Sequence, residues 1–406
     1  MVHVTFQTKE FTRTLNALGA LVRRKTMLPI LENIRLEYLS QKKTFQLTAS
    51  DSEAWLIMDV PTLRLYDGET DEAKKLNVCL PFSLIREAFA QLPDMILNAE
   101  IDIQKMTMRV DYSTGEFFIP ISPAEDFPQP ISVVQKGDAG DSVHPVCRFT
   151  LDAEMSEWLT GQMKEARVCV AHDELRPQMG CICLDCFHDH LVVVSSDGHS
   201  MFKNIKDTGM GWLEYGEFGA TSSAKLLVPP SALDVIQNAF QLKEPITVCA
   251  DTMRIQFSTE TATLIFRTTD AKYPNYDSVI PQNQPINITL SKDTLRVALR
   301  RMSIFADESM NMFTLQRKGE QVILASDDPN YSRAAKEMVA IIDIFGDMEE
   351  GRLFAFKIAT MRGLIDCIKT DNMVIGLEEP QKAAVIKEED KDSALTLLIM
   401  PMVINQ

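Results

Sequence analysis

"LTASD" (47–51), "VVSSD" (193–197) and "ILASD" (323–327) are three near-copies of one phrase. Each runs from apolar residues into small ones and ends on aspartate, as a strand does on reaching a turn. The copies stand about 130–146 residues apart in a chain of 406. A catalytic aspartate in triplicate would need its partners in triplicate, but a histidine, His199, follows only the middle copy. The aspartates therefore read as turn residues, and the phrase as one structural unit written three times.

The neighbouring sequence repeats in register. Upstream lie "VTFQ" (4–7), "FTLD" (149–152) and "ITLS" (288–291), each a short strand closing on a polar residue that can lead into a helix. The helices expected next bury Phe11, Leu15, Leu18 and Val22 in the first copy. Met155, Leu159 and Met163 form the equivalent face in the second, and Leu295, Ala298, Leu299 and Met302 in the third. Downstream, "LPFSLIREAF" (80–89), "VPPSALDVIQNAF" (228–240) and "FKIATMRGLIDCI" (356–368) each turn a strand end into a second helix, with alternating strands after it. The expected fold class is α+β, three repeats of two helices packed on β-sheets. Turn-rich stretches at 135–145 and 279–287 set the expected domains at 1–140, 146–281 and 284–406.

Hydrophobic residues make up 45% of the chain and charged ones 24%, an ordinary globular balance. No run approaches the length of a membrane helix. The charged, alternating N-terminus lacks the apolar core of a signal peptide. Eight cysteines without framework spacing read as reduced thiols, so a cytoplasmic location is expected. The net charge of −16 argues against gripping nucleic acid by bulk electrostatics. The six expected helices nevertheless carry +8, which leaves −24 elsewhere, so two electrostatically distinct surfaces are expected.

"CICLDCFHDH" (181–190) is the strongest metal-like signal, with Cys181, Cys183, Cys186, His188 and His190 in one decapeptide. Its spacing matches no zinc module, and a hairpin turning at His188–Asp189 explains it equally. Asp197 and His199 in "SDGHSM" could suggest a hydrolase, but a glycine turn is the simpler reading. Phosphate loops, nucleotide-binding glycine motifs and nucleophile elbows are absent from the sequence. No catalytic residue, metal or cofactor is expected.

"TMLPILENIRLE" (26–37), "RPQMGCICL" (176–184), "VVSSDGHSMF" (193–202), "KYPNYDSVIP" (272–281) and "LIMPMVI" (398–404) together resemble the β sliding clamps of bacterial DNA polymerase III, in order along the whole chain. The resemblance implies a non-enzymatic processivity factor that forms a six-domain ring as a head-to-tail homodimer around duplex DNA. It implies partners as well: the replicative polymerase, the clamp loader and repair proteins, which dock short linear motifs in a groove between the second and third domains. Met179, Ser196, Gly198, His199, Ser200, Met201, Pro274, Ser278 and Val279 match groove positions. So do the C-terminal Leu398, Ile399, Met400, Pro401, Met402, Val403 and Ile404. The family often has arginine where Ser200, Ser278 and Val403 stand, and Asn405 and Gln406 run past its usual end. Arg23, Arg24, Lys25 and Gln178 match DNA-facing loops. Phe117 and Ile119, expected as an exposed pair on an edge strand, and Ile304 and Phe305 match the two sides of the ring seam. Two rival readings are a metal-dependent hydrolase built on the Cys/His decapeptide, and a clamp-like scaffold whose altered pocket serves other partners.

Overall fold

The computed structural model describes residues 1–403 apart from 23–27, 61–62, 67–69, 131–132, 134–146, 217–222, 241–243, 270 and 329. The chain divides into two compact units, Met1–Thr160 with Gly211–Asp270, and Gly161–Met210 with Ala271–Gln406.

The helices are α1 (Thr8–Leu18), α2 (Phe82–Ala90), α3 (Ala153–Ala166), α4 (Pro230–Ala239), α5 (Lys292–Met302) and α6 (Ile358–Asp366). The expected core face of α5 is buried throughout, because Leu295, Ala298, Leu299 and Met302 recur at helical spacing. Ser291 caps it by accepting from Thr294 N, and Asp293 at one end and Arg300 and Arg301 at the other complement its dipole. In α3 the cap is Asp152, whose carboxylate accepts from Met155 N at 2.9 Å. Phe6, Phe11 and Phe89 join the first strand, α1 and α2 in one cluster with ring centroids 5.0–5.3 Å apart. Burying each ring is worth about 1.5–3 kcal/mol.

α1 ends at Leu18, short of Val22, which was expected on its buried face. Gly19, a poor helix former, ends it, and Val22 is half-buried beyond. Within their observed bounds the six helices carry a net charge of only +1. The positive charge expected on them sits instead at flanking positions, on Arg23, Arg24, Lys25, Arg167, Lys243, Lys357 and Lys369.

Strand pairing shows the repeat more sharply than the helices do. The strand before the first helix of each third pairs antiparallel with the strand after its second helix. Val2–Gln7 pairs with Ile96–Asp102, Cys147–Leu151 with Ile246–Ala250, and Ile286–Ser291 with Asn372–Leu377. Between the helices each third contributes a three-strand meander. The three meanders are Asn33–Leu39, Thr44–Ser50 and Ala54–Val60; Ile182–Cys186, His190–Ser196 and Ser200–Asp207; and Met312–Lys318, Gln321–Asp328 and Arg333–Ala340.

One rule joins consecutive thirds. The last meander strand of one pairs with the final strand of the next: Ala54–Val60 with Ala262–Arg267, and Ser200–Asp207 with Thr396–Ile399. Each join falls inside one compact unit. Two strands that the rule would pair stay at sheet edges among the described residues. These are Gly115–Pro120, ending the five-stranded sheet, and Arg333–Ala340, ending the four-stranded one.

The Ser-Asp phrases are corners, as expected. Asp51 Oδ1 accepts from the amides of Glu53 and Ala54, at 3.1 and 2.8 Å. Asp197 Oδ1 accepts from the amides of His199 and Ser200, at 2.8 and 2.6 Å. The third copy differs. Its strand runs on to Asp328, which accepts from Asn330 N at 3.1 Å, while Asp327 stays in the ladder opposite Ala334. Asp102 and Asp251 form the same corner in the hairpins that follow the second helices.

Candidate functional site

The middle corner forms one wall of a groove that lies within the second compact unit. Gly198 has φ +87°, a conformation open to glycine and strained for other residues, and this folds the corner tightly under Arg176 and Met179. Ser196 Oγ donates to Ser200 O, and Ser200 Oγ donates to Asp197. These bonds commit the Asp197 carboxylate to the turn, in place of the hydrolase role considered for Asp197 and His199.

The second wall is the segment 273–281. Tyr276, 5% exposed, donates its hydroxyl to Asp185 Oδ2 at 2.7 Å, and Asp185 is 1% exposed. Burial, reinforced by this bond, pushes the Tyr276 phenol above its ordinary range. Lys203 pairs with Asp277 and lies over the Tyr276 ring at 5.3 Å. Ser278 Oγ donates to Asn275 O at 2.7 Å. The third wall is the strand Thr396–Ile399 with Met400, whose amide donates to His199 O at 2.7 Å.

Together these walls enclose a cavity of about 630 Å³. Of the expected residues it gathers Met179, Ser196, Gly198, Ser200 and Met201 from the first wall. Pro274, Ser278 and Val279 come from the second, and Leu398 and Met400 from the third. Pro401, Met402 and Val403 line an adjoining cavity of about 440 Å³. His199 contributes its backbone and leaves its ring exposed. Ile399 is 1% exposed within the sheet, opposite Ser200, and Ile404 lies outside the described residues.

Ser200, expected at the rim, is 2% exposed, because its hydroxyl is drawn into the corner by its bond to Asp197. Sequence reasoning missed Tyr273 and Tyr276, although both flank Pro274 in the quoted stretch. It also missed the loop that supplies Glu378, Gln381, Lys382 and Ala383, which carries no signal beyond a turn.

Of the expected DNA-facing residues, Arg23, Arg24 and Lys25 lie outside the described residues, and Gln178 is half-buried in a short turn of helix over Pro177–Gly180. At the expected seam, Ile304 and Phe305 are exposed, at 67% and 40%. On the edge strand Gly115–Pro120 the parity is the reverse of an exposed Phe117–Ile119 pair. Ile119 is buried, Phe117 packs against Phe89 at 5.8 Å, and the outward residue is Phe118 at 61% exposure.

The Cys/His decapeptide is the expected hairpin. Cys181, Cys183 and Cys186 are buried. His190 stacks on Phe187 at 4.3 Å and bonds to Asp189. Among the described residues no three His, Cys, Asp or Glu side chains converge as metal ligands.

Repeated two-helix units joined edge to edge into long sheets, with a groove at one join, are an architecture found among solved proteins. Solved clamps share the fold over nearly the full length. The beta subunit of Streptococcus pyogenes DNA polymerase superposes with a TM-score of 0.84 at 16% identity, covering 99% of this chain and 100% of that one. The DNA polymerase III beta subunit of Pseudomonas aeruginosa gives 0.83 at 19%, with the same coverage. Residues 277–403 match the family model for the C-terminal domain of the DNA polymerase III beta subunit. The beta sliding clamp of Pseudomonas putida is 22% identical over 407 residues, 99% of this chain and 100% of the relative. That of Synechocystis is 23% identical over 390, 92% of each. The chain is thus similar over nearly its whole length to beta sliding clamps, and its C-terminal part matches the family model of the DNA polymerase III beta subunit.

Proposed function

We propose that the chain is a DNA sliding clamp, a ring of two copies that encircles duplex DNA and tethers the replicative polymerase. The clamp loader and repair proteins would use the same groove, and no chemistry of its own is required. Its domains are 1–140, 146–281 and 284–406, and it works in the cytoplasm at the nucleoid. No described helix is long and apolar enough to cross a membrane.

The observation that carries this reading is the joining rule. It pairs the last meander strand of each third with the final strand of the next, and it leaves Arg333–Ala340 and Gly115–Pro120 at edges. A second copy placed head to tail satisfies both edges by the same pairing and closes the ring. Closure removes the liability of an unpaired strand edge. Phe117, Phe118, Ile119, Ile304 and Phe305 would meet at that seam. Retention is then topological, so Arg23, Arg24, Lys25 and Gln178 need only loose phosphate contacts, while the acidic remainder repels DNA from other surfaces.

The groove takes short linear motifs by burying apolar side chains against Met179, Met201 and Met400, whose flexible thioethers adapt to different ligands. Primer extension by the cognate polymerase and loader on a long primed circle tests this function. Products should lengthen severalfold when the chain is present. Val279→Glu, which places a carboxylate in the apolar groove at a 56% exposed position, should abolish the gain while leaving the dimer mass unchanged. Product lengths equal with and without the chain would refute the reading.

A further inference from the structure

The charges around the groove are distributed unevenly. In the larger cavity every cation is matched at short range, Lys382 by Glu378 and Lys203 beside it by Asp277. The adjoining cavity is reached through Gln381, which lines both, and along the chain from Met400 to Pro401. Among its described lining residues Arg352 alone is charged. The Arg352 guanidinium lies over the Phe354 ring at 5.7 Å, and Phe354 is buried. No carboxylate among the described residues pairs with it, although acidic residues are close in sequence. Glu350 accepts from Gly319 N at 2.9 Å, and Glu349 meets Arg352 only through its backbone oxygen. A half-buried guanidinium steadied on an aromatic face, with its fork unclaimed, is built to receive a carboxylate.

We propose that Arg352 is a specificity-determining residue of the groove, and that it selects linear peptides of partner proteins in which an aspartate or glutamate side chain flanks the apolar anchor. This rests on the reading of the larger cavity as a peptide site. The apolar residues fill the neutral cavity, and the acidic side chain reaches into the second one and pairs with Arg352. Ser200, Ser278 and Val403 bring no charge to the groove, so Arg352 supplies its one unmatched cation among the described lining residues.

The test uses the full chain and fluorescein-labelled decapeptides with two leucines as anchor and one aspartate, scanned through one to four positions on either side. Each has an asparagine twin, and each is made with a free and an amidated C-terminus. Anisotropy should show one aspartate register binding about three- to tenfold more tightly than its twin, the range of a partly screened charge-assisted pair. The preference should vanish in Arg352→Gln, persist in Arg352→Lys and shrink as salt is raised. Equal binding of aspartate and asparagine peptides at every register would overturn the proposal and leave the groove reading intact. A preference for the free over the amidated terminus without an aspartate preference would overturn it too, naming a terminal carboxylate as the occupant. Binding that Val279→Glu fails to weaken would instead overturn the groove reading itself.

Discussion

Replacing Tyr276 with phenylalanine removes one oxygen and should loosen a whole wall of the groove. The hydroxyl donates to Asp185 at 2.7 Å, and the two residues are 5% and 1% exposed. Losing the donor leaves a buried carboxylate oxygen one bond short, at a cost of about 1–3 kcal/mol. The ring is retained, so no cavity adds to that figure. Because the phenol's pKa is raised in the folded chain, the contribution is complete below its ordinary value of 10.0 and fades only as pH rises through the folded value. Urea denaturation at pH 7.5 should therefore show a lower midpoint with an unchanged slope. Hydrogen exchange should accelerate over 273–281 and along the strand Ile182–Cys186. Asp185→Asn keeps an acceptor oxygen, so in a double-mutant cycle the two changes should be non-additive by more than about 0.5 kcal/mol. A loss below about 0.5 kcal/mol, or strict additivity, would show that this bond does not hold the wall.

Glu337 accepts two bonds from Arg301, both 2.7 Å, and its carboxyl is held below the usual range chiefly by those bonds. Its contribution is present above the unfolded value of 4.5 and is lost as pH falls through the lower folded value. Glu337→Gln should thus cost under about 1 kcal/mol at pH 7, a partly exposed pair, and progressively less as pH falls below 4.5, as denaturation across that range would show. All eight cysteines are buried, and desolvation pushes Cys79 up to about 11 and Cys367 up to about 12. Iodoacetamide at pH 8 should label almost none of them in the native chain and all eight in guanidinium, counted by intact mass. At the proposed seam, Ile304→Asp alters a side chain that is 67% exposed in the single chain. Light scattering should show the solution mass halved with the melting temperature of the chain little changed.

The repeat was legible because it is written in strong physical signals: apolar alternation into a strand, helical spacing on its inner face, and an aspartate that binds amides at each corner. The third corner slipped by one residue because Gln321–Asp328 runs longer than its counterparts and two consecutive aspartates could each serve. Parity at the seam was not legible, since "EFFIP" fits either face and only the packing of Phe117 on Phe89 selects one. One further side of the groove was invisible for a different reason. Residues 378–383 reach it as a hairpin turn between Asn372–Leu377 and Ala384–Glu388, and turn sequences record their own bending, not what they face. The charge ledger misled where α1 was taken past Gly19, because the arginines credited to the helix lie after its end.

The central claim is topological, and retention on DNA tests it most directly. The chain, loaded by its cognate loader onto nicked circular DNA and freed of loader by gel filtration, should stay with the circle through a high-salt wash. It should leave within minutes once a single cut makes the same DNA linear. Equal retention on circular and linear DNA, or release of both by salt alone, would mean that the chain binds DNA by contact and not by encirclement.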